Sequence, residues 1–122
     1  MKRKKPEKKS EAEKILEIIA RAAEEKKAND IKILDISRVS SFTDFLLICS
    51  GESTQQIRAI EKEIDKQLRS NRIKGFRWEG FIQSGWLTLD LGNIVVHVMG
   101  EEERRYYNLE ELWEKDAIIY HY

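Results

Sequence analysis

A chain of 122 residues, 41% hydrophobic and 36% charged, is long enough for one domain with one core. Its 22 Lys plus Arg balance its 22 Asp plus Glu, so no net positive field drives non-specific adhesion to nucleic acid. Cys49 is the only cysteine, which excludes an intramolecular disulfide and a Cys-rich zinc site. No apolar run approaches the roughly 20 residues of a membrane span, and a cytoplasmic protein without membrane contact is expected.

Residues 1–10, MKRKKPEKKS, are basic but lead into no apolar h-region, so they are not a secretory signal. They read as a solvated, frayed tail, with weak rRNA contact as the alternative. Residues 11–122 read as a single domain. Glu11 to Lys27 predicts a helix with Ile15, Ile18, Ile19, Ala22 and Ala23 on its apolar stripe, ended by Asn29 and Asp30. Ile31, Ile33, Leu34 and Ile36 suit a strand, with Asp35 breaking the run. After a turn over Ser37 to Ser41, Phe45 to Cys49 is almost continuously apolar, the mark of a strand covered on both faces.

Ser50-Gly51-Glu52 breaks that strand. Ser53 then caps a second helix, with Gln56 completing a capping box. This helix runs to about Arg69, with Ile57, Ile60, Ile64 and Leu68 inward. A loop from Asn71 to Gly75 leads to a short strand over Phe76 to Gly80, and Ser84-Gly85 turns the chain. Gly92-Asn93 then fits a two-residue hairpin turn. In that register Leu91 faces Ile94, Leu89 faces Val96, and Leu87 faces Val98, all on one core face. The opposite face pairs Asp90 with Val95, Thr88 with His97, and Trp86 with Met99. Its polar residues and large aromatic suggest partial exposure or an interface.

The run Glu101-Glu102-Glu103-Arg104-Arg105 reads as a solvated loop. Of Tyr106 and Tyr107, one is expected to face the core, while Arg beside Tyr is interface chemistry. Asn108 can cap a last helix, with Glu111 three residues on and Leu109, Leu112 and Trp113 docking it. The order predicts an α/β (α+β) domain, a mixed five-stranded sheet with packed helices.

Chemistry is sparse. The Ser50 to Ser53 turn, between a buried strand and a helix N-terminus, resembles the phosphate-binding place of nucleotidyltransferase-like folds. Such enzymes also need carboxylates converging on Mg²⁺, and only Asp44 and Asp90 are candidates, with no paired acidic motif. The turn therefore reads as structural. Thr88, His97 and Asp90 form a tempting trio, but Thr is a weak nucleophile and nothing indicates an oxyanion hole, so a polar patch is the simpler reading. His121 is expected to be solvated, too far from His97 in sequence to support a metal site. Cys49 reads as an inert core residue. No catalytic residue, metal or cofactor is expected.

Several segments, in order, resemble the ribosomal silencing factor (Iojap-like) family. They are Lys27-Ala28-Asn29-Asp30-Ile31 with Leu34-Asp35, Thr43-Asp44-Phe45, and Ile48-Cys49-Ser50-Gly51-Glu52-Ser53, followed by Gln56 to Ile60. Glu79-Gly80, Trp86-Leu87-Thr88-Leu89-Asp90 and Val95-Val96-His97-Val98 continue the pattern. Arg105-Tyr106-Tyr107, Leu109-Glu110, Leu112-Trp113 and Asp116-Ala117 complete it. Asn93 departs from the Asp usual there but still suits the turn. The resemblance implies a nucleotidyltransferase-related fold without the catalytic carboxylates, and a non-enzymatic factor. It implies binding to ribosomal protein fourteen on the large subunit, sterically blocking the small subunit and repressing translation. Trp86, Thr88, Asp90, His97, Arg105 and Tyr106 are the expected partner-binding residues, on a monomer or weak homodimer. The alternative is a nucleotide-binding or nucleotidyltransferase-like enzyme using the Ser50–Ser53 turn with Asp44 or Asp90.

Overall fold

The structure, a computed structural model, describes residues 10–122; the basic start, with its expected solvation and rRNA contact, lies outside the described residues apart from Ser10. Ser10 is the N-cap of helix α1 (Glu11–Glu25), not part of a tail. Its hydroxyl accepts the Glu13 N–H at 3.1 Å, and the Glu13 carboxylate accepts the Ser10 N–H at 3.4 Å, a complete capping box. The helix buries Leu16, Ile19, Ala20, Ala22 and Ala23, while Ile15 and Ile18 are only half-buried. It stops two residues short of Lys27, because Lys27 itself turns left-handed at φ 60°. Asn29 and Asp30 therefore open strand β1 (Asn29–Asp35), and Asp35 closes that strand rather than breaking it.

Strand β2 (Phe45–Gly51) leads to helix α2 (Thr54–Ser70). Ser53 caps α2 as expected, its hydroxyl accepting the Gln56 N–H at 3.1 Å. Gln56 does not close the box. Its Oε1 accepts from the Glu52 N–H, and its Nε2 donates to the carbonyls of Lys26 and Lys27, stapling α2 to the end of α1. Strand β3 (Arg77–Phe81) and a single 3₁₀ turn (Ile82–Ser84) precede strands β4 (Trp86–Asp90) and β5 (Ile94–Gly100). Helices α3 (Glu101–Tyr107) and α4 (Leu109–Trp113) and strand β6 (Ile118–His121) complete the chain.

The sheet has six strands, ordered β3-β4-β5-β2-β1-β6, not five. The added strand is a four-residue run at the end of the chain, specified by the free edge of β1, against which Tyr120 pairs with Ile33. Strands β2 and β5 are parallel, and every other neighbouring pair is antiparallel. The β4–β5 register is the predicted one, with Leu87 opposite Val98, Thr88 opposite His97, and Leu89 opposite Val96. Gly92, at φ 87°, takes the left-handed turn position that a side chain would resist.

The alternation of β2 explains the two cores. Leu47 and Cys49 face α1 and α2, joined there by Leu87, Leu89, Val96 and Val98. Leu46 and Ile48 face the other way, with Leu34, Ile36 and Met99, beneath Leu109 and Trp113 of α4. The hairpin's second face is therefore not bare, since Trp86 and Val95 pack at the margin of this smaller core.

The acidic-then-basic run is a helix, not a solvated loop. Three glutamates occupy the first turn of α3 and two arginines its last, the charge order that a helix dipole favours. Asn108, at φ 43°, ends α3 and starts α4 without a side-chain bond to an α4 backbone N–H. Instead its Nδ2 donates to the Glu111 carboxylate at 2.8 Å.

Candidate partner-binding surface

The hairpin face carries Trp86, Thr88 and Asp90 on β4, with His97 of β5 directly across from Thr88. All four are half-buried. The Trp86 indole N–H donates to His97 Nδ1 at 3.0 Å, fixing the imidazole as an acceptor on that side. Tyr107 of α3 also packs against the indole, with ring centroids 4.7 Å apart, and Tyr106 meets Tyr107 edge-on at 5.0 Å. Neither tyrosine faces the core. Tyr106 is 82% exposed and Tyr107 50%. A continuous aromatic surface, Trp86–Tyr107–Tyr106, thus runs from sheet to helix, open to solvent at the tyrosine end. Such amphipathic rings supply much of the contact at protein interfaces.

Not all expected residues join it. Arg105 lies along the crevices at the C-terminal ends of β2 and β5, beside Asn29, Gly51 and Glu52. Asp90 sits at the far end of β4, four residues or about 14 Å from Trp86. Its carboxylate accepts the Gly92 N–H at 2.8 Å and so shapes the hairpin turn. Tyr107 is the residue that the sequence reading passed over in favour of Tyr106. Only the packing of α3 on Trp86 separates the two.

Burial holds His97 neutral, with its pKa down to about 4. A histidine whose folded pKa lies below its unfolded value stabilises the fold above the unfolded pKa. That stability drains as the pH falls from about 6.5 toward 4, because the unfolded chain takes up the proton first. The loss should reach on the order of 3 kcal/mol by pH 4. Urea titrations across this range should show it, and His97→Asn, which keeps an acceptor for Trp86, should flatten that limb. An unchanged slope in the variant would assign the loss to other groups.

The trio of Thr88, His97 and Asp90 is not connected as a relay: His97 is bonded to Trp86, and Asp90 to the turn. The phosphate-like turn is equally separated from its candidate carboxylates. Asp44 precedes β2 while Ser50 lies near its end, six residues or about 20 Å away. Asp90 is level with Val95, which is level with Leu46, leaving about 13 Å to Ser50 along the strands and two strand spacings of about 4.8 Å across them. The crevice at the turn is lined by Glu52, Glu101, Glu102 and Glu103 beside Arg105, an excess of negative charge among the described residues that opposes an anion. His121 is exposed on β6. Cys49 is fully enclosed, and burial pushes its thiol up to about 12, with the nearby Arg104 charge only partly offsetting this. Labelling by a thiol reagent at pH 8 should be slow in the native protein and fast in urea. Fast native labelling would refute the inert assignment.

The residue that sequence reasoning missed is Arg104, whose side chain is only 9% exposed. Its guanidinium donates to the Asn29 carbonyl at 3.1 Å, the Ser50 hydroxyl at 3.2 Å, and the Glu110 carboxylate at 3.1 Å. Lys32 reaches the same carboxylate at 2.9 Å. Burial alone would raise the Glu110 pKa, but the bonds from Arg104 and Lys32 outweigh it and hold the group below its usual range. Glu101 accepts a short bond from the Asn29 amide beside this cluster. These bonds pin α3 and α4 to the first half of β1 and the end of β2, and so position Tyr107 against Trp86.

The family described as "Ribosomal silencing factor during starvation" matches residues 9–120. The Bacillus subtilis ribosomal silencing factor is 46% identical over 99 residues, spanning 81% of this chain and 84% of that protein. A crystal structure of a Chromobacterium violaceum protein superposes with a TM-score of 0.81 at 30% identity, covering 86% of this chain and 88% of that one. A mouse protein named for mitochondrial assembly of the ribosomal large subunit is 28% identical across 80% of this chain and 44% of its own length. The chain is a member of the ribosomal silencing factor family.

Proposed function

We propose that this protein binds the large ribosomal subunit through its protein fourteen, sterically prevents the small subunit from joining, and so represses translation in the cytoplasm. The observation carrying the proposal is the aromatic run Trp86–Tyr107–Tyr106, exposed at its tyrosine end and held by the buried Arg104 cluster. A rigid, partly open aromatic surface suits a protein partner, where a few such residues concentrate the binding energy. The balanced charge of 22 cationic and 22 anionic residues favours docking on a protein over broad adhesion to rRNA. The mouse relative's name, which ties that protein to the large subunit, supports the choice of subunit. Among the described residues, no helix is long and apolar enough to cross a membrane.

Sedimentation with purified subunits tests the reading. The protein should pellet with the large subunit and not the small one, and should reduce assembled ribosomes when added before mixing. Pelleting with neither subunit would end the proposal. Purified protein fourteen in place of the whole subunit tests the partner separately.

A further inference from the structure

Two helices packed side by side lie about 10 Å apart and cover roughly four strands at ~4.8 Å spacing. This sheet has six strands, with α1 and α2 on its main face. At the β3 end, α2 reaches the edge: the Trp78 indole N–H donates to Asp65 at 3.1 Å, and Arg69 lies 5.2 Å over the Phe76 ring. The uncovered strip is therefore at β6. There a groove of about 620 Å³ runs between α1 and β6. Ile33 and Phe45 form its floor, and Tyr120 and Tyr122 its outer wall, 52% and 47% exposed.

Among the described residues, the charge around this groove has one dominant sign. Glu13 and Glu17 follow each other at i, i+4 along α1, and Asp35 lies on the sheet side. Among the described residues that line it, Arg21 is the one cation, and it is paired with Glu17 at 2.8 Å. An apolar floor with a net-negative rim disfavours nucleic acid and anionic membranes, whose phosphates the carboxylates repel. It suits a segment with aliphatic side chains on one side and Lys or Arg at its flanks.

We propose that the groove between α1 and β6 is a docking slot for a basic amphipathic segment of a partner protein. Its apolar side chains would rest on Ile33, Phe45 and Tyr120, and its cations would reach Glu13, Glu17 and Asp35. The slot is on the helix side of the sheet, away from the hairpin's aromatic surface, so it adds a contact to the proposed ribosomal one and does not depend on it.

The test uses the full chain and a fluorescein-labelled 14-residue helical peptide with Leu on one face and Lys on the other, followed by anisotropy. Saturable binding that weakens with added salt is expected. Tyr120→Ser and Glu17→Lys should each weaken it about tenfold or more, while Glu102→Lys on α3 should not. Tyr120 is exposed and Glu17 half-buried, and melting curves would verify folding of both variants. Peptides with Leu replaced by Ser, or Lys by Glu, should not bind. Absence of saturable binding, or equal binding by the groove variants, would overturn the proposal. So would binding that appears only after removal of residues 1–9, which would make the chain's own start the occupant. A concentration-dependent dimer lost in Tyr120→Ser would assign the groove to a second copy and overturn it as well.

Discussion

Arg104→Ala should be among the most destabilising single substitutions in this protein, at about 3–5 kcal/mol. The guanidinium is almost entirely enclosed, so its removal deprives partners that are only partly open to water of their donor. Glu110 would keep Lys32, and the Asn29 carbonyl would lose its guanidinium donor. The loss is not simply that of the Coulombic attraction. Replacing a whole buried ion pair by apolar groups of similar size can be neutral, whereas deleting one partner leaves the other desolvated and unpaired. The double variant Arg104→Met with Glu110→Leu should therefore be less destabilised than the two single changes predict together. Coupling of roughly 0.5–3 kcal/mol is the range for residues sharing one network. Arg104→Lys should recover little, because an ammonium cannot fork between Asn29, Ser50 and Glu110. Urea denaturation of the six proteins, wild type and both single changes of the cycle included, tests this. Strict additivity would mean that Arg104 and Glu110 act independently, against the geometry.

The same residue marks where the sequence stops being legible. Arg104 and Arg105 stand in one charge run, and local pattern treats them alike. One is buried and the other exposed because Asn29, 75 positions away, and Glu110, on a different helix, close around Arg104. Burial of that kind is decided by tertiary partners and has no local signature. Strand β6 was hidden for a related reason: four residues cannot establish a period, and their pairing depends on the free edge of β1. What could be read had short-range or strictly periodic causes. The hairpin register followed from Gly92-Asn93 and an alternation that a one-residue slip would invert. The double-sided burial of β2 followed from its unbroken apolar run. The candidate surface was half legible. Trp86, Thr88 and His97 came from that register, whereas the choice of Tyr107 over Tyr106 as the residue touching Trp86 required the docking of α3.

Neighbours in β4 should respond oppositely to substitution, and that contrast is the sharpest test of the hairpin face. Leu89→Ala should cost about 2–5 kcal/mol of stability, since the side chain is fully buried among α2, β2 and β5 partners and would leave a cavity. Once folded, the variant should still bind the large subunit, because Leu89 faces away from the proposed contact. Thr88→Arg should do the reverse. Thr88 is half-buried on the other face, opposite a neutral His97, so a long cation can extend into solvent with little cost to folding. Placed within a docking surface, it would hold the partner away and desolvate a charge. A loss of roughly 2 kcal/mol or more, about thirtyfold in affinity, is the hot-spot scale. Trp86→Ala should show both effects in part, since the indole packs on Tyr107 and at the edge of the smaller core while bonding His97. Thermal melts run beside subunit pelleting separate the three. If Thr88→Arg pellets with the large subunit as well as wild type does, the hairpin face is not the docking surface, whatever the protein does on the ribosome.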